Sequence, residues 1–288
     1  MYVIEFPSLR LVESKDPISF AAVAEAWMTQ REAENHVILS VLSGLVAGYR
    51  GTGACTSRFF TLQDGNVVAA ALIAGPRMVH ITWAALEMVD PIVSGLQNCG
   101  YSISQIHGPG HVAFFLGRAW AERTRATARV GNSQRVYQLA RVRHELPEGG
   151  RLVAAGEGEL AVAKDWMREL VGETGYPCED PAELARRHVT DGQLHLWHQP
   201  GPVAMGAYVE PTPNGISIEH VYVPRSLRRK GHGKAVIAAM AGRMLAAGKR
   251  FCFLRADPDD WTADRLFQAV GARTICEYAQ CSIVPAGG

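Results

Sequence analysis

Apolar and polar positions along the chain change period repeatedly. Short runs rich in β-branched and aromatic residues predict strands at YVIEF (2–6), RFFTL (58–62), NVVAAALIA (66–74), MVHITW (78–83), ISQIH (103–107) and RVYQLARV (135–142). Between them, the stretches 18–28, 32–49, 89–98 and 112–125 carry the spacing of amphipathic helices. The period then breaks over RVRHELPEGGRLVAAGEGE (141–159), where Pro147, Gly149, Gly150, Gly156 and Gly158 punctuate the chain. This predicts a domain boundary, with domains at 1–143 and 144–288. After it, helices are predicted at 159–171 and 181–188, and strands at GQLHLWHQ, PVAMGAYVE and GISIEHVYVP. A helix at 233–247, a strand at RFCFLRA, a helix at ADRLFQAV and a strand at RTICEYAQCSIV follow. Both halves read β-α-α-β-β-β-α-β-α-β, so the chain is an α/β (α+β) protein built from two copies of one unit.

Composition narrows the function classes. With 288 residues, 48% of them hydrophobic and 20% charged, the chain has ample material for packed cores. Lys and Arg total 29 against 28 Asp and Glu, so a net charge of +1 gives no electrostatic reason to expect a nucleic-acid or membrane partner. The start has no basic segment followed by an apolar run, and no stretch approaches 18 uninterrupted apolar residues, which predicts a cytoplasmic protein without a membrane span. Six scattered cysteines form no CxxC pair and read as small buried hydrophobes.

Candidate chemistry concentrates in HVYVPRSLRRKGHGKAVIAAMAGRMLAAGKRFCFLRAD (220–257). A strand stops at Pro224, a basic glycine-bearing loop follows, and a helix starts, with Val236, Ile237, Met240 and Met244 on one stripe and Lys234 and Arg243 outside it. Gly248 ends that helix. A strand, a glycine turn and a helix start make an anion site, because the first helical N–H groups lack partners and the helix dipole is positive there. The spacing is not that of a Walker A loop, since Ala235 follows Gly231, Gly233 and Lys234. Nor is it GxGxxG, since Val236 occupies the third glycine position. What fits is RxxGxG, with Arg228, Gly231 and Gly233.

This segment, VYVPRSLRRKGHGKAVI, resembles the acyl-CoA diphosphate loop of the GNAT N-acetyltransferase superfamily. The resemblance continues through DWTADRLFQAVGA by Asp264, Phe267 and Gly271, and covers about residues 151–284. It implies two tandem GNAT-like domains, each a mixed, mostly antiparallel twisted sheet flanked by helices, with a degenerate N-terminal copy. It also implies acetyl-CoA as cosubstrate, no metal, and transfer of the acetyl group to a primary amine of a small molecule or peptide by direct attack within a ternary complex. Arg228, Arg229, Lys230 and Lys234 would supply charge to the phosphates, and Gly231 and Gly233 close backbone approach. His232 lies inside the loop, positioning it or simply exposed. The backbone of Val221 and Val223 would pair with pantetheine.

Period-two alternation puts Glu219 on the face of Val221 and makes it the candidate base; His220, pointing the other way, is the runner-up. Phe267 stands where many family members carry the tyrosine that protonates the leaving thiolate, which leaves Tyr222 or Tyr278 as substitute acids. Asp260 and Asp264 replace asparagines that face CoA, so they either cap the short helix toward solvent or imply a different hold on CoA. His195 and His198 fall on opposite faces of a strand, which argues against a metal pair. In the first half, HITWAALEMVDPIVSGL carries Glu87 and Asp90 where a diphosphate loop would need cations, and Trp83, Trp120 and His111 read as core. The alternative function is a non-catalytic acyl-CoA-binding or sensing protein.

Overall fold

A computed structural model describes residues 9–48, 57–65, 67–75 and 78–285. The predicted strand at 2–6, the last residue of the predicted helix 32–49 and Cys55 lie outside these residues. The chain divides into two compact units, Met1–Val136 with Ile275–Gly288, and Tyr137–Thr274. The cut between 143 and 144 read from the glycine-rich stretch differs from this division. The last strand groups with the first unit because Ala279, Cys281 and Ile283 are buried in its core.

The first unit runs β1 (Arg10–Ser14), α1 (Pro17–Met28), α2 (His36–Val46), β2 (Arg58–Asp64), β3 (Val67–Ala74), β4 (Met78–Ile81), α3 (Val89–Asn98), β5 (Gln105–Pro109), α4 (Gly110–Thr124) and β6 (Ala126–Leu139). The second runs β7 (Arg151–Ala154), α5 (Leu160–Thr174), α6 (Pro181–Thr190), β8 (Leu194–His198), β9 (Pro202–Val209), β10 (Gly215–Tyr222), α7 (His232–Ala246), β11 (Phe251–Ala256) and α8 (Trp261–Val270), and the last strand, β12 (Arg273–Pro285), falls almost wholly in the first unit. The predicted element order therefore recurs in both halves. In the first unit the strand order is β1-β2-β3-β4-β5-β12-β6, with β4 and β5 parallel and the pairs β1·β2, β2·β3, β3·β4 and β5·β12 antiparallel. In the second unit β11-β10-β9-β8-β7 is antiparallel except for the parallel pair β10·β11. Among the described residues no helix is long and apolar enough to cross a membrane.

Local chemistry explains the element boundaries. Asp16 and Asp180 accept from the backbone N–H of Ser19 and Glu183, each with a proline at the first helical position, so α1 and α6 start where a cap and a fixed φ coincide. The helix predicted from 32 starts only at His36, because Asn35 turns back to donate to the Met28 carbonyl at 3.0 Å. β1 and β7 escape hydrophobic patterning because they are short and at most half-buried. The exposed first half of β6 escapes it for the same reason. Helix α7 is buried without a break from Ala235 to Ala241, and its alanines and glycine let it sit against the sheet on more than the single predicted stripe.

One irregularity positions the site. β10 and β11 pair at Gly215–Phe251, Ile216–Cys252 and Ser217–Phe253, and β10 then continues to Tyr222 paired only with β9. A Cβ on Gly215 would run into the Phe253 ring, so glycine is what lets the two strands meet there. On the β9 side, Glu219 faces Ala207 and Tyr222 faces Met205, which inserts one extra β10 residue as a bulge. His220 takes up the insertion with φ +52°, a left-handed conformation rare for a non-glycine residue. The bulge swaps faces. Ile218 packs in the α7 core, whereas Tyr222, four residues later, packs with α5 and α6. Simple alternation is thereby corrected: Val221 packs toward the α7 core, and Glu219 and His220 both project on the α5/α6 side.

Burial pushes the His220 imidazole down to about 4. The unfolded chain takes up this proton near pH 6.5 and the folded chain only near 4, so the stability that neutral His220 confers is complete above 6.5 and lost as pH falls toward 4. Between pH 7 and pH 5 the wild type should lose about 2 kcal/mol more than His220→Asn, whose asparagine tolerates the left-handed backbone. Urea unfolding at the two pH values checks this; equal losses would show that His220 titrates normally.

Candidate functional site

The glycine loop joins β10 to α7. Gly231 has φ +87° and Arg229 φ +65°, which turns the chain so that α7 begins at His232. The helical bond from the Ala235 N–H to the Gly231 carbonyl (3.1 Å) leaves the N–H groups of His232, Gly233 and Lys234 ahead of it without helical acceptors. A Cβ on Gly233 would sit 3.6 Å from Leu266 and 3.7 Å from Val223, ordinary contacts, so the free chain has room there that a glycine keeps open. Arg229, Lys230 and Lys234 form no ion pair among the described residues. His232 is half-buried with its Nδ1 covered and unpartnered, and burial together with Lys230 lowers its pKa. Cationic side chains, unpartnered N–H groups and a missing Cβ suit a polyanion such as a diphosphate.

Arg228 is arranged differently from its cationic neighbours. Its Nε donates to the Val223 carbonyl (2.9 Å), its Nη2 pairs with Glu173 of α5 (2.6 Å), and its guanidinium lies 5.5 Å from the centre of the Tyr222 ring. Arg225 joins the same carboxylate at 2.9 Å. The Arg228 hydrogen bond holds the Glu173 carboxyl below its usual range. In the free chain Arg228 is therefore tied to α5.

The remaining candidates fall into two groups. Glu219 is ion-paired with Arg255 of β11, which also pairs with Glu210 at 3.0 Å. His220 lies against the rings of Tyr176 (5.2 Å) and His188 (5.1 Å). Tyr222 is buried and donates to Glu169 (2.7 Å) and Glu173 (3.2 Å); burial and these two carboxylates raise its pKa. On the other side of the sheet, Phe267 is buried edge-on to Tyr137 (5.1 Å), whose hydroxyl donates to Asp264 at 2.9 Å. Asp260 caps α8 through the N–H groups of Thr262 and Ala263. Tyr278 belongs to the first unit, where its hydroxyl donates to the Glu34 carbonyl (2.8 Å). His195 hydrogen-bonds through Nδ1 with the Gln193 carbonyl and lies on Tyr208. Among the described residues no group of three or more His, Cys, Asp or Glu is placed to hold a metal.

Motif reading missed Glu210, Arg255, Glu173 and Tyr137. Arg255 left a signal, as the one charge inside the apolar run FCFLRA; Glu210 and Glu173 left none, because their partners lie far away in the chain. In the first unit, Trp83 and His111 are not core as expected. With Arg31, Glu34, Cys276 and Glu277 they wall a cavity of about 390 Å³ that contains none of the glycine-loop residues. Trp120 is buried in the core as read.

Residues 197–281 match the family described as FR47-like protein. Solved structures share the architecture over nearly the whole chain. A GCN5-related N-acetyltransferase from Sphaerobacter thermophilus is 15% identical, with a TM-score of 0.59 and 97% of each chain covered. A Drosophila protein is 11% identical, with a TM-score of 0.62 over 97% of this chain and 99% of the other. A tandem GNAT protein from the clavulanic acid biosynthesis pathway is 10% identical, with a TM-score of 0.53 over 98% and 100%. No curated protein sequence matches the chain. At these identities the structural likeness speaks for the fold alone. The chain thus shares the fold of solved GNAT acetyltransferases, and its residues 197–281 resemble FR47-like protein.

Proposed function

We propose that the chain is an acetyl-CoA-dependent N-acetyltransferase whose acceptor is a primary amine of a small molecule or peptide, attacked directly within a ternary complex. The observation that carries the reading is the 228–234 loop: left-handed Gly231, the space left by Gly233, N–H groups without helical acceptors and three cations without ion-pair partners among the described residues, at the end of a strand parted from its neighbour. Acetyl-CoA, when bound, supplies a thioester carbonyl open to amine attack. The N–H groups of His232, Gly233 and Lys234 would hold diphosphate oxygens, with Arg229, Lys230 and Lys234 neutralising them. Arg228 would join them by exchanging Glu173 for phosphate. Beyond Ser217 the β10 edge facing β11 is unpaired, which leaves backbone groups of Val221 and Val223 for pantetheine amides to pair with as an added strand. Glu219, half-buried on the acceptor side, is the candidate proton acceptor, and His220 is the runner-up.

The absence of a phenol at Phe267 and the engagement of Tyr222 with two carboxylates favour a second reading, a protein that binds acyl-CoA without turnover.

Two measurements separate the readings. In thermal unfolding with coenzyme A at 100 times its Kd, the wild type should gain about 2.7 kcal/mol, while Gly233→Ala should fold normally and bind at least about tenfold more weakly. No gain for the wild type, or equal affinity in the variant, removes the loop from the account. Thiol release from acetyl-CoA over a panel of primary amines should then fall about 100-fold or more in Glu219→Gln. Unchanged turnover in that variant would exclude Glu219 as base, and silence across the panel despite tight acetyl-CoA binding would favour the binding protein.

A further inference from the structure

The α5/α6 side of the parted strands holds more unsatisfied polarity than a folded interior normally keeps. Glu210 follows β9, Glu219 lies on β10 and Arg255 on β11, and both carboxylates converge on one nitrogen, Arg255 Nη2. Around them Glu210 Oε2, Arg255 Nε, Ser217 Oγ and His188 Nε2 are covered yet have no hydrogen-bond partner. Each such atom costs about 1–3 kcal/mol, so a cluster of four calls for a missing partner. The backbone adds a second sign. Of the four non-glycine residues with positive φ among the described residues, three (Glu210 at +50°, His220 at +52° and Arg229 at +65°) belong to the loop and this cluster. Strain of about 1–3 kcal/mol per residue persists where surroundings impose it, commonly at functional sites.

Charge tells what the partner is. Two carboxylates and one guanidinium leave one negative charge in excess. The other titratable groups facing them are His220 on β10, His188 on α6, and Tyr176 and Cys178 in the connection between α5 and α6, and they supply no fixed cation. Burial and the neighbouring Glu219 lift the Glu210 pKa well above the ordinary carboxylate range, as expected of a site short of one positive charge.

We propose that Glu210 is a second carboxylate of the reaction centre: with Glu219 across Arg255 it docks the acceptor as an ammonium ion and takes up its proton. This deepens the acetyl-transfer reading and rests on it for the use of the proton. The ammonium R–NH3⁺ gives one proton to the carboxylate pair and becomes R–NH2. Its lone pair forms the C–N bond as the thioester C–S bond breaks, the thiolate takes the second proton from nitrogen, and the pair returns the first to solvent. The sum is R–NH3⁺ + acetyl-CoA → R–NH–acetyl + CoA–SH + H⁺. Glu219 in its ion pair with Arg255 alone would be a neutral couple with little attraction for a cation; Glu210 restores it.

The test uses n-butylammonium and its neutral isostere butan-1-ol as probes of the full chain, by calorimetric titration with and without coenzyme A. Butylammonium should bind and butanol should not, and Glu210→Gln should weaken butylammonium at least tenfold while leaving coenzyme A affinity unchanged. Glu210→Asp keeps the charge but withdraws it by one methylene; it should bind butylammonium more weakly than wild type and more tightly than Glu210→Gln, and it carries the comparison with wild type if the glutamine variant does not fold. In carbon-13 spectra of glutamate-labelled protein, one carboxyl should titrate well above the usual carboxylate range and that titration should vanish in the variants. Equal binding of butanol, no binding of butylammonium, or full cation affinity in both variants would overturn the proposal. Cation binding without any coenzyme A binding would instead overturn the acetyl-transfer reading and leave this one standing.

Discussion

Every feature of the site in the second unit depends on a hydrogen-bond ladder that stops early. The parallel pair β10·β11 is closed at Ser217–Phe253, and from there β10 runs on with one edge unpaired. Buried backbone groups are rarely left unsatisfied, so an edge opened inside a sheet is a demand for another strand-like partner. The bulge at His220 is the companion device. By inserting one residue it turns Glu219 and His220 to the side of α5 and α6 while Val221 stays on the α7 side, so that in the proposed reaction one strand would serve both acceptor and acyl chain. The same strand delivers the chain into the glycine loop, where the start of α7 supplies N–H donors.

Electrostatics divides the site in two. The loop presents Arg229, Lys230 and Lys234 to any anion, and Arg225 and Arg228 are tied in the free chain to Glu173 of α5. Exposed ion pairs of this kind contribute little to stability, about 0–1 kcal/mol each, so they are easily exchanged for a better anion. The cluster of Glu210, Arg255 and Glu219 has the opposite balance, and its side chains are mostly withdrawn from water. A polyanion at one end and a cation at the other is the charge pattern that a diphosphate-bearing acyl donor and an amine acceptor would both satisfy.

The order of elements and the loop were legible in the chain, because both rest on local rules. Apolar periodicity marks the strands and helices, and Arg228, Gly231 and Gly233 fall at a strand-to-helix junction where backbone geometry dictates glycine. Faces around the bulge were not legible, since period two holds only while each residue advances the pleat, and nothing in GISIEHVYVP announces the left-handed His220. Short edge strands such as β1 and β7 carry too few apolar residues to show a period. Glu210, 45 residues from Arg255, and Glu173, 55 from Arg228, become site residues only through tertiary contact. The grouping of the last strand with the first unit is likewise a matter of which core Ala279 and Cys281 bury against, and the sequence of that strand suits either.

The most direct test of the account is a crystal structure of the full chain grown with coenzyme A. Diphosphate oxygens should accept from the N–H groups of His232, Gly233 and Lys234. The pantetheine amides should pair with β10 between Val221 and Val223, and the thiol should end beside Glu219 and Arg255. Coenzyme A bound anywhere else, or β10 and β11 closed on each other with the loop empty at saturating ligand, would contradict it.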